Sequence, residues 1–250
     1  MKKINLVSGV LLLTSACFAA DMSFSLTFDG KTVNPELPLT NKPVKALTLN
    51  DDNFVKGFNN KDAFVLTNQA NPTYTANSIV NFGESTVSFW FKPVNWMQDK
   101  PARFLHIYSP SKDKKSLLIY YFLKKSGSND IIAKISGSSS GVSNVTEVTI
   151  PGDSIAQDAW QKIDIAWNTK TLTIYRNGEK ICENPMFEAF TELIKEARDW
   201  TGFGVLPVFI SDGDSWDIKT AIDNVAVYKS ALTGKEIKES YDKDMENVSK

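Results

Sequence analysis

Cysteine and histidine are almost missing from this chain: its 250 residues hold two cysteines and one histidine. Cys17 falls within a stretch that reads as an export leader, so only Cys182 would remain after processing. No intrachain disulfide can then form, whatever the redox state of the destination. Stability must come from burial, and Cys182, at the end of an apolar hairpin strand, reads as a small hydrophobe rather than a reactive thiol. Excess charge is lacking too. Lys and Arg number 28 against 29 Asp and Glu, for a formal net charge of -1; loss of Lys2 and Lys3 with the leader takes it to -3. That argues against a nucleic-acid or other polyanionic partner. The basic cluster Lys112-Asp113-Lys114-Lys115 reads as a solvated loop. No apolar run approaches the roughly 20 residues that a membrane-spanning helix needs.

The longest candidate run, Ile4 to Leu13, follows Lys2-Lys3 and precedes the small-residue segment Thr14 to Ala20. This pattern is that of a bacterial-type secretory signal over residues 1–19, with cleavage after Ala19. A rival reading makes Cys17 a lipid-modified cysteine. It is the weaker one, because Thr14 stands where Leu is usual in a lipobox and neither Gly nor Ser follows the cysteine. The expectation is a secreted or periplasmic protein.

The mature chain reads as one β-rich domain, residues 20–250. Ala159 to Ile181 is its clearest part. Ile163, Ile165 and Trp167 alternate with Asp164 and Ala166, the chain turns at Asn168-Thr169-Lys170, and Leu172 and Ile174 resume the period of two. Asn177-Gly178 suits a type I′ turn, whose central residues both need positive φ. Elsewhere Phe24, Leu26 and Phe28 alternate before Asp29-Gly30. Val87, Phe89 and Phe91 alternate with Thr86, Ser88 and Trp90, and Pro93 stops that strand. Ala63 to Leu66, Ala102 to Tyr108, Ser116 to Leu123, Ile131 to Ser136 and Val145 to Ile150 are further strands at the spacing of a sandwich.

Two segments break the β pattern. Over 186–198, Phe187, Phe190, Leu193, Ile194 and Ala197 recur at helical spacing opposite Glu188, Glu192, Lys195 and Glu196, which predicts an amphipathic helix packed as a lid on one sheet edge. Over 233–247, Thr233 and Glu236 form a capping box at the start of a charged helix. Apolar positions are few beyond Ile237 and Tyr241, so its end is expected to fray.

Four stretches in order, FSLTFDG at Phe24 to Gly30, TVSFWFKP at Thr86 to Pro93, Trp160 to Gly178, and AIDNVAVYKSAL at Ala221 to Leu232, resemble the laminin G-like and pentraxin-like branch of the concanavalin A-like lectin and glucanase superfamily. The resemblance spans the mature chain, except that Met186 to Arg198 replaces what is usually a short polar connection. It implies an all-β jelly-roll sandwich of two antiparallel sheets, carrying the inserted helix and a short C-terminal helix, with the first and last strands adjacent. It also implies a structural Ca²⁺, for which Asp29 and Asp223 are the candidate ligands. Asp223 is in phase with Val225 and Val227, and an inward carboxylate must be paired, hydrogen-bonded or metal-bound. Without metal, Asp223 would cap turn amides and Asp29 would serve the Gly30 turn. A second acidic loop, Asp212 to Asp217, reads as a possible calcium cradle or as a polar hairpin loop.

Family members that hydrolyse β-glucans place two carboxylates on alternate residues of one strand, and no strand here carries that pattern. Lyases of similar fold use His with Tyr, which points to His106 with Tyr120 or Tyr121, but companion Gln and Arg motifs are not recognisable. Binding is the class that remains. Trp96 and Trp216 are the tryptophans least explained by strand alternation and are the candidate sugar-stacking residues. Trp90, Trp160 and Trp167 belong to fold-defining strands, and Trp200 would anchor the end of the inserted helix. The expected function is that of a secreted, non-catalytic carbohydrate-binding module with a glycan or polysaccharide ligand. The alternative is a cell-surface adhesion domain with a protein partner, and third comes a polysaccharide hydrolase or lyase.

Overall fold

A computed structural model describes residues 22–36, 49–66, 72, 74–75, 79–110, 116–139, 141–198, 205–206 and 219–248. Its first strands are β1 (Met22–Leu26), β2 (Phe54–Lys56), β3 (Asp62–Leu66), β4 (Tyr74–Thr75), β5 (Ser85–Pro93), β6 (Ala102–Pro110) and β7 (Ser116–Lys124). There follow β8 (Ile131–Ser139), β9 (Val142–Ile150), β10 (Gln161–Trp167), β11 (Thr171–Arg176), β12 (Glu179–Pro185), β13 (Val205–Leu206) and β14 (Thr220–Tyr228). The helices are α1 (Phe190–Arg198) and α2 (Gly234–Val248).

The strands make two antiparallel sheets. The larger runs β12-β11-β10-β5-β14-β3-β2, with β1 also on β14; the smaller runs β4-β13-β6-β7-β8-β9. The first and last strands do lie side by side, with Phe24 opposite Val227 and Leu26 opposite Val225. Strand parity then sets the core. Val87, Phe89 and Phe91 of β5 and Ile163, Ile165 and Trp167 of β10 meet Phe104, Ile107, Tyr120, Phe122, Ala133, Ile135 and Val148 of the smaller sheet in one buried cluster. The meander turns as its residues require: Asn177 and Gly178 both have positive φ, 51° and 81°, and the Asn168 side chain accepts the amides of Lys170 and Thr171 at 2.8 and 2.9 Å.

Two expectations need correction. α1 begins at Phe190, not at residue 186, and it is no edge lid. Phe190 and Ile194 belong to the common core, and a Cβ on Gly137, an inner-face position of β8, would strike Leu193 and Phe187. The helix therefore packs on the inner face of β7 and β8, interior strands of the smaller sheet. Asp223 does not share the inward phase of Val225 and Val227. A bulge between Asp223 and Ala226, with Asn224 at φ 48°, turns it to the outer side opposite Trp90. The C-terminal helix stands as expected, over Gly234–Val248, with its Thr233–Glu236 capping box formed: the Thr233 amide donates to Glu236 Oε2 at 2.7 Å and the Glu236 amide to Thr233 Oγ1 at 3.3 Å.

Candidate functional site

The two outer sheet faces differ in what covers them. On the larger sheet, α2 lies over Trp90, Lys162 and Ala166. Trp90 stacks on Tyr241 at 5.8 Å between centroids and donates its indole N–H to Asp244 at 3.0 Å. The Lys162 ammonium, in a side chain 3% exposed, donates to Asp244 at 2.7 Å and to Ser240 at 2.8 Å. Ile237 packs on Ala166 and Tyr175. Beneath them burial pushes the Asp164 carboxyl up, against the pull of Lys162 and a hydrogen bond from Ser88. This face is committed to holding the terminal helix, and Trp90 is buried there, outside the inter-sheet core.

The smaller sheet bears neither described helix on its outer face. His106 on β6 stands opposite Tyr121 on β7, which stands opposite Lys134 on β8, which stands opposite Glu147 on β9. The alternate residues Tyr120, Ala133 and Val148 are buried in the core, so this row faces outward. The His106 and Tyr121 rings lie flat on one another, 4.7 Å apart at 10°. Ile119, Ser136 and Val145 form the row on one side, and Leu123, Ile132 and Thr149 the row on the other. A phenol backed by a stacked imidazole and set beside an ammonium and a carboxylate, on a β surface, can hydrogen-bond the hydroxyls of a sugar. Of the two tyrosines considered with His106, Tyr121 is beside it. Tyr120 points to the opposite face, where its hydroxyl donates to the Phe82 carbonyl at 2.5 Å and burial holds its pKa well above the usual phenol range.

Asp29 and Asp223 come close enough for the charge of Asp29 to raise the pKa of Asp223. Asp223 is fully buried. Burial pushes its carboxyl up to about 7, although it accepts the amides of Phe58 at 3.0 Å and Asn224 at 2.8 Å. Asp29 Oδ2 takes the Lys61 ammonium at 2.7 Å, while Oδ1 is buried with no hydrogen-bond partner among the described residues. That orphaned oxygen and the buried Asp223 carboxyl fit part of a Ca²⁺ shell. Lys61 already supplies one positive charge, and the described residues hold no cluster of three His, Cys, Asp or Glu. The other ligands would have to be backbone carbonyls or water.

Trp96 is built into the end of the sandwich. Its ring stacks on Phe91 and Phe104 at 5.8 and 5.6 Å, and its N–H donates to Thr220 at 2.8 Å. Beside it the buried Lys124 ammonium lies among five carbonyl oxygens, from Met97, Gln98, Lys100, Lys125 and Ser128, at 2.6 to 3.4 Å. The sequence gives no sign of that nest. Trp216, the Asp212 to Asp217 loop, Trp200, the Lys112 to Lys115 cluster and the leader with Cys17 lie outside the described residues.

Comparison with known proteins agrees with this architecture. A family model described as the concanavalin A-like lectin/glucanases superfamily, of the laminin G type, matches residues 62–238. No curated protein matches the chain. Among solved structures, the binding domain of Paraclostridial Mosquitocidal Protein 1 is 13% identical with a TM-score of 0.62, over 89% of this chain and 52% of that one. The receptor binding domain of botulinum neurotoxin D is 13% identical with a TM-score of 0.61, over 90% and 53%. The serotype D ligand binding domain, solved in complex with N-acetylneuraminic acid, is 13% identical with a TM-score of 0.59, over 89% and 51%. This chain thus spans about half the length of each, and at such identity the likeness is one of fold. With the family match covering well over half its length, the chain belongs to the laminin G-like branch of the concanavalin A-like lectin/glucanase superfamily.

Proposed function

We propose that this chain is a secreted, non-catalytic carbohydrate-binding module that takes a glycan or polysaccharide across the outer face of the smaller sheet. The observation that carries the reading is the row His106, Tyr121, Lys134 and Glu147, on the sheet face that neither helix covers. Membership of a lectin-containing superfamily supports it, as does a fold neighbour that is a ligand binding domain complexed with a sugar acid. Trp216 and the part-exposed edge of Trp96 belong to the proposal as flanking contacts. One Ca²⁺ at Asp29 and Asp223 belongs to it as a structural ion, competing with the Lys61 ammonium for Asp29. Export through residues 1–19 belongs to it as well, and amino-terminal sequencing of the mature protein tests that step.

The deciding experiment is a polysaccharide and oligosaccharide array probed with the mature protein in calcium and again in chelator, beside Tyr121→Ala and Asp223→Asn. Binding lost in Tyr121→Ala supports the face. Binding lost in chelator and in Asp223→Asn supports the ion. A second reading, an adhesion domain with a cell-surface protein partner, is favoured by Val142 and Val145, apolar residues 63% and 53% exposed at the β8–β9 end of the same sheet. An array silent in both conditions would favour it.

A further inference from the structure

Outside the inter-sheet core, on the covered side of the larger sheet, a cavity of 280 Å³ lies between α2 and the β1–β14 pair. We propose that it is a second ligand site, for a single neutral monosaccharide residue, separate from the outer face of the smaller sheet. Its size sits just under the roughly 300 Å³ at which small-molecule pockets begin, which suits one sugar ring and not a chain. One wall is aromatic: Phe58 lines it and is stacked on Trp90 at 3.4 Å and 12°, with Tyr228 nearby. The polar residues Ser25, Thr27, Asn59 and Asn224 line it as well. Ser88, 4% exposed, lines its floor. An apolar ring face with donors and acceptors around it is the pattern that a sugar ring satisfies.

Charge excludes the other classes. Among the described residues Lys162 is the one cation lining the cavity, and its ammonium is already held by Asp244 and Ser240. An anion would find that charge neutralised and the Asp244 carboxylate beside it. A cation would meet the Lys162 ammonium on that same carboxylate, whose Oδ2 also holds the Trp90 indole, and would be repelled by it. A neutral polyhydroxylated ring disturbs neither contact.

The Trp90 indole N–H, bonded to Asp244, reports on the cavity. The test follows its signal in ¹H–¹⁵N spectra of the mature protein while glucose, galactose, mannose, N-acetylglucosamine and glycerol are titrated in turn. Ala226→Leu and Asn247→Leu, at cavity-lining positions, narrow the site from the sheet and from the helix. The expected result is a saturable shift with at least one sugar at millimolar concentration, retained in Tyr121→Ala and weakened about tenfold or more in the two leucine variants. Should Ala226→Leu not fold, Asn247→Leu, at an exposed helix position, decides alone. No shift with any sugar, or unchanged affinity in the folded leucine variants, overturns the proposal. A shift lost in Tyr121→Ala also overturns it, since the sugar would then lie on the smaller sheet.

Discussion

Asp223 should make this protein less stable at neutral pH than in mild acid, unless calcium is supplied. Its carboxyl is fully buried, and its pKa is raised from 3.8 to about 7 by burial, partly offset by the Phe58 and Asn224 amides. A carboxyl whose folded pKa lies above its unfolded one contributes stability that is fully present below pH 3.8 and is lost as pH rises through 7, because the folded state binds the extra proton. The rise corresponds, at about 1.36 kcal/mol per pH unit, to an upper bound of about 4 kcal/mol. Asn in its place resembles the neutral acid, with one acceptor oxygen for two amide donors, so Asp223→Asn should cost about 1–3 kcal/mol in acid and nothing further as pH rises. Urea denaturation between pH 4.5 and 8 in chelator measures both chains. Asp164, also raised by burial, pulls both in the same direction, so the difference between them isolates Asp223. The two profiles should converge toward pH 8. Millimolar calcium, by favouring the ionised carboxylate, should restore the wild type at pH 8 and leave Asp223→Asn unchanged. Parallel profiles would refute the reasoning, since Asp223 would then titrate alike in the folded and unfolded states.

Lys124→Met removes the cation from its carbonyl nest and should cost about 3 kcal/mol, with faster amide exchange across residues 94–100 by mass spectrometry. Gly137→Val puts side-chain atoms where Leu193 and Phe187 pack; a loss of about 2–3 kcal/mol, with exchange raised first in α1, is expected. Tyr120→Phe should cost about 1 kcal/mol, because the Phe82 carbonyl keeps the Trp167 indole at 3.1 Å. That variant should leave array binding intact, whereas Tyr121→Ala should abolish binding and barely move the thermal midpoint.

How far the sequence could be read differs from element to element for physical reasons. The meander from Ala159 to Ile181 was legible because alternation, an Asn side chain in one turn and Asn-Gly in the other all specify the same backbone. The helix over 190–198 was visible as a buried stripe, but a stripe says nothing of what buries it; Gly137, small on an inner face, was the only trace of its partner. The bulge that turns Asp223 outward was signalled only by Asn224, a residue uncommon in strands and tolerant of positive φ. Lys124 closes a strand in sequence and so reads as solvated, since no local pattern reports five carbonyls from two loops. The face of His106 was left open by alternation, because the β-bulge between Arg103 and Leu105 shifts the register that would have placed it on the Tyr121 side.

That shared row also decides how the lyase alternative should be tested. His106 and Tyr121 do lie together, as a proton-abstracting pair would, and proximity alone therefore cannot separate chemistry from recognition. Their arrangement does bear on it. Two rings locked face to face occupy each other's ring faces, and both His106 ring nitrogens are buried, whereas a base and an acid must reach one sugar carbon and its leaving oxygen from different directions. The neighbours Lys134 and Glu147 continue the row along the sheet. Incubation with uronate-containing polysaccharides should therefore yield no unsaturated product in the ultraviolet, while the same polymers, where bound, are released by Tyr121→Ala. An unsaturated product lost in His106→Gln would reverse the assignment: the flat pair would then be a catalytic one that opens when substrate binds.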